Sequence, residues 1–454
     1  MMRPDNGPEN STRGRCRRRT LSHSTGVHSI PMFPCEPRRE FGGRSAGRQN
    51  ERVAARPLTP TRRYARIAIA ACSLALAGCG ERTPGDAKKT MPKPVAAPVI
   101  DWPMTRGGPA LSGSVATKIP RNPTTAWTFT ASGPISAEAA IVAGRVFIGT
   151  GKGTLHCLAA DTGKEQWRFE TKDAITAAPA VAGGKVFLSS NDGRLYALAA
   201  DTGKEVWQFA SEDKISAGAI TIRAPDGSAD WVLLNGYDGT TRVLNAADGK
   251  LVWSYKTDDY INGSPAVVDG RYLVFGGCDS QLHVVHLKDG TLLHKIPTSA
   301  QIPASIGTFG PMAFCGNYAN EAVAFDVAGG KVAWTYEDRS LPFFSSPAIN
   351  ERLVMIGSRD KSLHAIHRQT GAGAWKFKTG GRIEGSPIAF EDGVVFGSAD
   401  GRLYGAGLDN GAELWQLDLG EALVASPAFG GQQIIIGGEK GTVFAIRGQS
   451  GQKP

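Results

Sequence analysis

Two stretches of nine residues in this chain are nearly identical: residues 159–167 read AADTGKEQW and residues 199–207 read AADTGKEVW. The same pattern extends along the chain as a Gly followed four residues later by a Trp. Successive glycines of this series lie 40, 46, 41, 40, 41, 40 and 40 residues apart. A unit of this length cannot bury its apolar surface alone, so neighbouring units must pack against one another. The repeat therefore restricts the fold to an array of equivalent units.

The series has eight glycines and eight positions for the aromatic residue, and the two sets are offset at the chain ends. Its members are Gly163/Trp167, Gly203/Trp207, Gly249/Trp253, Gly290/His294, Gly330/Trp334, Gly371/Trp375 and Gly411/Trp415, together with an unaccompanied Gly451 and an unaccompanied Trp127. A final unit that lacks its Trp and a first Trp that lacks its Gly indicate that the two ends of the chain share one unit.

Each unit carries four short apolar segments, as in residues 175–181 (ITAAPAV), 185–190 (KVFLSS), 194–200 (RLYALAA) and 206–210 (VWQFA). The segments are rich in Val, Ile, Phe, Tyr and Trp, and Gly residues separate them, which is typical of strands and hairpins. Four short strands in every unit of roughly 40 residues indicate the blades of a propeller. The longest unit holds an insertion, residues 223–230, which we expect to be an exposed hairpin tip.

The sequence thus predicts an all-β protein, an eight-bladed β-propeller with four antiparallel strands per blade. The strand around Trp127, residues 125–130, is predicted to supply the missing fourth strand of the last blade. This pairing would close the ring and leave no unpaired strand edge at that position.

The repeat consensus resembles the tryptophan-docking motif of the pyrroloquinoline quinone (PQQ) repeat family, as in Ala197, Thr202, Gly203 and Trp207. The resemblance covers about residues 125–451, and it implies that the Gly and Trp positions dock one blade on the next. The family includes quinoprotein dehydrogenases, which bind PQQ, and non-catalytic lipoproteins of the BamB type, which serve outer-membrane assembly. A shared fold does not choose between these activities.

Residues 61–78 have the basic start and short apolar core of a secretory signal peptide. They lead into Leu-Ala-Gly-Cys79, which resembles a bacterial lipobox and implies cleavage before Cys79 and acylation of its thiol. The residue after Cys79 is Gly80, which favours the outer membrane as the destination. We predict that residues 1–60 are a mis-called or disordered extension, residues 79–123 a lipidated Cys, tether and leading segment, and residues 124–454 the propeller.

The positive charge of the chain belongs to the segment that signal cleavage would remove. The first 78 residues contain 15 Arg, no Lys and 5 acids, whereas the remainder has 36 basic and 37 acidic residues, a net charge of −1. The high isoelectric point therefore gives no argument for nucleic-acid binding.

No catalytic or metal-binding set can be assembled from the sequence. His283 and His286, like His364 and His367, have the spacing of metal ligands, but strand residues three apart point to opposite faces. His283 and His364 also align with Tyr196 and Tyr404, which indicates a structural aromatic position. The thiols Cys157, Cys278 and Cys315 are predicted to be small buried side chains. The chain lacks the adjacent Cys pair that is typical of quinoprotein dehydrogenases.

These features favour a lipid-anchored, periplasm-facing scaffold for protein–protein interaction at the outer membrane, with a BamB-like role as the specific hypothesis. Its partners would be periplasmic or outer-membrane proteins, the protein would be a monomer within a complex, and no cofactor is predicted. The alternative is a PQQ-binding quinoprotein dehydrogenase or redox-associated module. Residues 302–325, in the fifth blade, depart most from the repeat, so we expect any site on the face of this blade.

Overall fold

The computed structural model describes residues 100–338 and 341–448. The predicted extension, the signal peptide, Cys79 and Gly451 lie outside these residues. The described residues form eight four-stranded antiparallel sheets, β2–β5, β6–β9, β10–β13, β14–β17, β18–β21, β22–β25, β26–β29 and β30–β32 with β1. We number these sheets as blades 1 to 8. The predicted eight-bladed, all-β propeller is confirmed.

The strands of blades 1 to 4 follow one another at the spacing of the sequence repeat. Their bounds are β2 Ala140–Val142, β3 Arg145–Gly149, β4 Thr154–Ala159, β5 Glu165–Glu170, β6 Ala180–Ala182, β7 Lys185–Ser189, β8 Arg194–Ala199, β9 Glu205–Ala210, β10 Ile220–Arg223, β11 Asp230–Asn235, β12 Thr240–Asn245, β13 Leu251–Lys256, β14 Ala266–Val268, β15 Tyr272–Gly276, β16 Gln281–His286 and β17 Leu292–Pro297. The insertion at 223–230 lengthens the turn between β10 and β11.

Blades 5 to 8 continue the pattern, and one short 3-10 helix, Thr105–Gly107, precedes the ring. The bounds are β18 Gly307–Phe309, β19 Met312–Gly316, β20 Glu321–Asp326, β21 Lys331–Glu337, β22 Ala348–Ile349, β23 Leu353–Gly357, β24 Ser362–His367, β25 Gly373–Lys378, β26 Ile388–Ala389, β27 Gly393–Gly397, β28 Arg402–Gly407, β29 Glu413–Asp418, β30 Ala428–Gly430, β31 Gln433–Gly437, β32 Thr442–Gly448 and β1 Pro123–Thr130. Among the described residues, no helix is long and apolar enough to cross a membrane.

Blade 8 is built from both ends of the chain, as predicted. β1 pairs antiparallel with β32, and Trp127 lies opposite Ala445. β32 pairs in turn with β31 and β31 with β30. The strand that precedes blade 1 therefore pairs with the edge of β32 and gives blade 8 the same four strands as the other blades, which closes the ring.

Side chains are more buried on the middle strands of a blade than on its outer strand at the rim of the ring. The second and third strands of a blade are buried on both faces, because each blade is packed between two others; β7, for example, has four buried residues in a row. The fourth strand alternates, and β5 has half-buried and exposed residues in turn. This pattern explains why the middle strands read as continuous apolar runs while the outer strands keep a period of two.

The ring has two faces, which we name for what lies on them. The turn face carries the hairpins between first and second strands and between third and fourth strands, as the bond from Ala160 N to Gly144 O shows. The loop face carries the loops between blades and the hairpins between second and third strands, which are joined by the bond from Ile175 N to Thr150 O.

Candidate functional site

Six Trp residues of the repeat lie over the glycine of the following blade. The Nε1 of Trp167 donates to the carbonyl oxygen of Ala200 at 3.1 Å. Gly203 has φ +70°, and a Cβ on it would lie 2.5 Å from Cε3 of Trp167, so only glycine fits both the conformation and the approach. The same contact joins Trp127 with Gly163, Trp207 with Gly249, Trp253 with Gly290, Trp334 with Gly371 and Trp375 with Gly411.

Two members of the series differ. His294 takes the Trp position over Gly330, and its Nε2 lies 3.1 Å from the carbonyl oxygen of Ala328. The glycine that the repeat pairs with Trp415 is Gly451, which lies outside the described residues. Within those residues, the buried Nε1 of Trp415 has no hydrogen-bond partner. All the positions that the structure describes lie at blade boundaries, where they connect consecutive blades.

A second contact between blades uses the aromatic residue two positions after a Trp, and it was not predicted from the sequence. Phe169 packs edge-on against Tyr196 with 5.3 Å between ring centroids, and Phe377 meets Tyr404 at 5.4 Å. The hydroxyl of Tyr196 then donates to Asp192 at 2.7 Å. The constant offset from the Trp residue was the available signal, since aromatic residues recur there.

On the third strand of their blades, His283 and His364 take the position that Tyr196 and Tyr404 hold in blades 2 and 7. The hydroxyl of Tyr336 lies 3.2 Å from Nδ1 of His364, and Nε2 of His364 lies 2.9 Å from Asp360. A Tyr–His pair thus replaces a Phe–Tyr pair, and its histidine is hydrogen-bonded to an aspartate as Tyr196 is to Asp192. The arrangement recurs in blade 4 with Tyr255, His283 and Asp279.

Asp338, Asp360 and His364 lie close enough together to hold a metal ion. However, the ammonium group of Lys376 is in contact with Asp338 and supplies the positive charge there. Burial lowers the pKa of His364, and the charge of Asp360 acts in the opposite direction. The contacts of this cluster are those of packing between blades 5 and 6.

Residues 100–117, which we call the strap, run around the channel at the turn face before the chain enters β1. Backbone N–H groups of the ring donate to strap carbonyls, for example Val181 to Pro103 at 2.7 Å and Ile349 to Ser112 at 2.8 Å. Trp102 also forms an isolated bridge with Ile141. The leading segment that the sequence left without a role therefore lies on the innermost strands.

One carboxylate holds the strap to blade 1. Glu138 accepts hydrogen bonds from Trp102 Nε1 at 2.7 Å, from Thr105 Oγ1 at 3.0 Å and from the backbone N of Arg106 at 3.1 Å. Burial raises the pKa of Glu138, while the charge of Arg106 lowers it. Burial also lowers the pKa of Arg106, whose guanidinium donates to backbone carbonyls on blades 6 and 7. The carboxylate of Glu138 and the two Nη atoms of Arg106 are thus hydrogen-bonded, whereas the buried Nε of Arg106 has no partner among the described residues.

On the opposite face, aromatic side chains from blades 3 to 6 form what we call the aromatic arc: Tyr237, Tyr260, Tyr318 and Phe344. Tyr237 and Tyr260 stack with 4.3 Å between centroids, and Tyr318 meets Phe344 at 5.1 Å. Burial raises the pKa of Tyr237, and Tyr260 and Tyr318 are among the neighbours that add to the shift. The arc brings together loops from four blades.

A cation lies over each end of the aromatic arc. The ammonium group of Lys214 is 3.9 Å from the ring centroid of Tyr237, and the guanidinium of Arg359 is 4.0 Å from that of Phe344. Arg359 also pairs with Glu384 at 2.9 Å. Burial lowers the pKa of Lys214. These cation–π contacts hold the rings in place at the loop face.

The loop face of blade 5 differs in charge from its neighbours. Residues 298–306 and 317–320 contain no acidic or basic side chain, whereas the preceding loops expose Glu212, Asp213 and Asp258. In this blade Ala319 and Val323 take the positions that Asp192 and Tyr196 hold in blade 2, and Asn317 donates to Glu321 at 2.6 Å. The irregular blade thus provides an uncharged aromatic surface beside an acidic one.

A shallow cleft of about 450 Å³ lies elsewhere, between blades 6 and 7 at the turn face. The ion pair of Arg352 with Asp409, at 2.7 Å, crosses from one blade to the other. Leu408 lines the cleft and already accepts the Nε1 hydrogen of Trp375. The cleft is therefore a consequence of blade packing more than a set of convergent polar groups.

Cys157 and Cys315 are buried, as the sequence predicted for small apolar side chains, whereas Cys278 is buried but disulfide-bonded and is not the free thiol that was predicted. Cys157 and Cys315 are free thiols. Burial raises the pKa of each of these two thiols to about 12. Thiols with such pKa values are not available as nucleophiles near neutral pH.

Comparison with known proteins identifies relatives of this architecture. The family profile described as "Outer membrane protein assembly factor BamB" matches residues 112–259, 214–305, 237–349 and 319–453. The solved structure of BamB from Moraxella catarrhalis is similar with a TM-score of 0.60 at 18% identity, covering 72% of this chain and 99% of that one. A comparison with curated protein sequences finds no match.

Other solved structures with the same fold include an alcohol dehydrogenase and a designed protein. The quinohemoprotein alcohol dehydrogenase from Comamonas testosteroni matches with a TM-score of 0.66 at 14% identity, covering 78% of this chain and 82% of that one. A computationally designed protein, Ika8, matches with a TM-score of 0.62 at 19% identity, covering 70% and 96%. At these identities the likeness shows the fold alone.

Proposed function

The chain belongs to the family described as outer membrane protein assembly factor BamB, and from this premise we propose that it is a non-catalytic docking scaffold for outer-membrane assembly. The observation that supports a scaffold is the aromatic arc, a set of rings held on the loop face of a rigid ring. Large aromatic and arginine side chains on preorganised loops are typical of protein-binding surfaces. The partners would be periplasmic or outer-membrane proteins, and the propeller would act as one copy within a complex.

The loop face is the better docking face, because the strap already covers the channel at the turn face. The uncharged loops of blade 5 and the exposed acids of Glu212 and Asp213 suit a partner with apolar anchors and neighbouring basic side chains. Leu341, at 44% exposure, adds an apolar side chain to this face. Opposite charge would speed the encounter, while the aromatic arc would supply the affinity.

A matched pair of leucines tests this surface. Leu341→Ala on the loop face should weaken capture of the partner from solubilised membranes by roughly tenfold, the size expected for one interfacial hot spot. Leu414→Ala is the control, since Leu414 is 36% exposed on the outer strand of blade 7, away from the loop face. Tyr318→Ala should act in the same direction as Leu341→Ala. Equal capture by all three variants and the parent chain would argue against the loop face.

The proposed anchor is an acyl-modified Cys79 that holds the propeller on the periplasmic side of the outer membrane. The motif around Cys79 supports the anchor. Cys79→Ser should leave the protein unprocessed or released from membranes, whereas Cys72→Ser, seven residues earlier in the apolar core, should leave it anchored. Mass spectrometry of the processed chain should find an acylated Cys79 at the N-terminus, and an unmodified N-terminus would refute the anchor.

The channel residues do not fit a quinone with a bound Ca²⁺ ion. Among the described residues, Glu138 and Glu384 carry carboxylates in the loops that lead into innermost strands, and both are engaged: Glu138 with the strap, and Glu384 with Arg359 and Arg382. We therefore expect no dye-linked alcohol or sugar oxidation after addition of PQQ and Ca²⁺. Stoichiometric PQQ binding with turnover would favour the dehydrogenase alternative.

A further inference from the structure

The innermost strand of every blade has one edge that faces the channel. Unpaired N–H and C=O groups on such an edge must find partners when they are buried. At the turn face, the strap provides these partners around the ring. The ring amides that donate to strap carbonyls are Ile141, Val181, Val267, Thr308, Ile349, Ala389, Glu391 and Gly431, on blades 1, 2, 4, 5, 6, 7 and 8.

The strap also fills the end of the channel with side chains. Trp102, Met104, Arg106 and Leu111 are at most 5% exposed. Leu111 and Met104 pack with the cores of blades 2 to 5, and Trp102 packs with those of blades 1, 7 and 8. Gly113 leaves room for the guanidinium of Arg106, which a Cβ at that position would displace. The strap is thus part of the packed interior.

The strap and the strand that closes the ring are consecutive but separate segments. β1 pairs with β32 at the rim of blade 8, while residues 100–117 contact the innermost strands. Between them, Ile119 N and Arg121 bind Asp392 on blade 7, both at 2.8 Å. This clamp fixes the chain where it leaves the channel. Movement of the strap therefore need not disturb the pairing of β1.

We propose that the strap is a lid that Glu138 holds in place. The lid closes the channel at the turn face, so that the channel is reached from the loop face. Glu138 is suited to this role because it binds three consecutive parts of the strap: the indole of Trp102, the hydroxyl of Thr105 and the backbone of Arg106. Opening of the lid would uncover the innermost strand edges at the turn face and leave blade 8 closed.

Hydrogen exchange of the full chain measures the lid directly. Glu138→Ala should raise the exchange rates of peptides that contain Val181, Val267 and Ile349 at least tenfold, because these amides donate to strap carbonyls. Peptides from β1 and β32 should exchange as in the parent chain. Glu384→Ala is the matched control, since it removes a glutamate in the loop that leads into another innermost strand, one that binds Arg359 and Arg382 and, among the described residues, makes no hydrogen bond or ion pair with the strap.

Trypsin gives a second readout through Arg106, which is 2% exposed in the closed strap. Cleavage after Arg106 should be at least ten times faster in Glu138→Ala than in the parent or in Glu384→Ala, without faster cleavage in the blades. Glu138→Gln, which keeps one acceptor oxygen, should fall between these limits and serves if the alanine variant does not fold. Unchanged exchange and cleavage in the Glu138 variants, or loss of β1 protection together with the strap, would overturn the proposal.

Discussion

The contact between Trp167 and Gly203 makes a quantitative prediction about the coupling of blades. Gly203 has φ +70°, and a Cβ there would lie 2.5 Å from Cε3 and 2.8 Å from Cδ2 of Trp167. Gly227 also has φ +70°, but a Cβ there would have no heavy atom within 4 Å. The two glycines therefore share the backbone strain of an alanine substitution and differ in the collision with the indole.

The magnitudes follow from these two terms. A left-handed backbone conformation costs an L-residue about 1–2 kcal/mol, and this term applies to Gly203→Ala and to Gly227→Ala. Insertion of a methyl group into a packed contact adds about 1–3 kcal/mol, and this term applies to Gly203→Ala alone. We expect Gly227→Ala to lower the free energy of unfolding by the first amount and Gly203→Ala by roughly the sum.

Urea unfolding followed by circular dichroism measures both free energies, and a double-mutant cycle identifies the source of the difference. In a Trp167→Leu background the indole is absent, so Gly203→Ala should cost only the backbone term. The reasoning would be refuted if Gly203→Ala and Gly227→Ala lowered the free energy of unfolding equally. It would also fail if the cost of Gly203→Ala were unchanged by Trp167→Leu.

Three further predictions concern closure, pH and thiols. Deleting residues 101–131 removes the strap and β1 and opens the edge of β32, so we expect aggregation or a much lower Tm by scanning fluorimetry; an unchanged Tm would contradict the closure. Burial lowers the pKa of His364, so the unfolded state takes up the proton first as the pH falls. Its stability contribution is complete above about pH 6.5 and decreases below it. The double variant Tyr336→Phe/His364→Tyr, which copies the Phe–Tyr pairs, should therefore lose less stability between about pH 6.5 and 5 than the parent in urea titrations, and equal losses would count against this origin. Cys157 and Cys315, with pKa values raised to about 12, should resist maleimide at neutral pH until the chain is unfolded, and labelling of either thiol in the native protein would show that it is reachable.

The blade architecture could be predicted because its signals are local and repeated. A Gly with positive φ and a Trp four residues later lie on one hairpin, so the turn and the docking residue of each unit can be recognised from a short stretch of its own sequence. The offset between Gly451 and Trp127 was enough to predict that β1 completes blade 8. The structural position of His283 and His364 followed from their alignment with Tyr196 and Tyr404.

The surfaces that support the function could not be predicted in the same way. Tyr237, Tyr260, Tyr318 and Phe344 lie on loops of four blades, and only closure of the ring brings them together. The sequence pointed to the face of blade 5 through its departure from the repeat, but it gave no sign that Lys214 and Arg359 would cover the ends of the arc.

The strap shows a different limit. Residues 100–117 show neither the alternation of apolar and polar residues that indicates a strand nor a helical period. Most of their contacts are with residues far along the chain, so no local pattern predicts their path. Glu138 replaces the small residue found at this point in other blades, and that difference was visible in the sequence. Its partners Trp102, Thr105 and Arg106 were not, since the hydrogen bonds to Glu138 depend on the path of the strap around the axis.

The pairing of β1 with β32 also sets the order in which this protein can be completed. β1 is among the first parts of the propeller to be synthesised, and its partner is the last strand. At roughly 5–20 residues per second, β1 waits on the order of tens of seconds for β32 to be made. During that time its apolar residues and its backbone are available to other chains, as is usual for folds dominated by distant contacts. Newly made molecules should therefore depend on holding factors until the last repeat arrives, and ring closure should be the slow, concentration-sensitive step of folding.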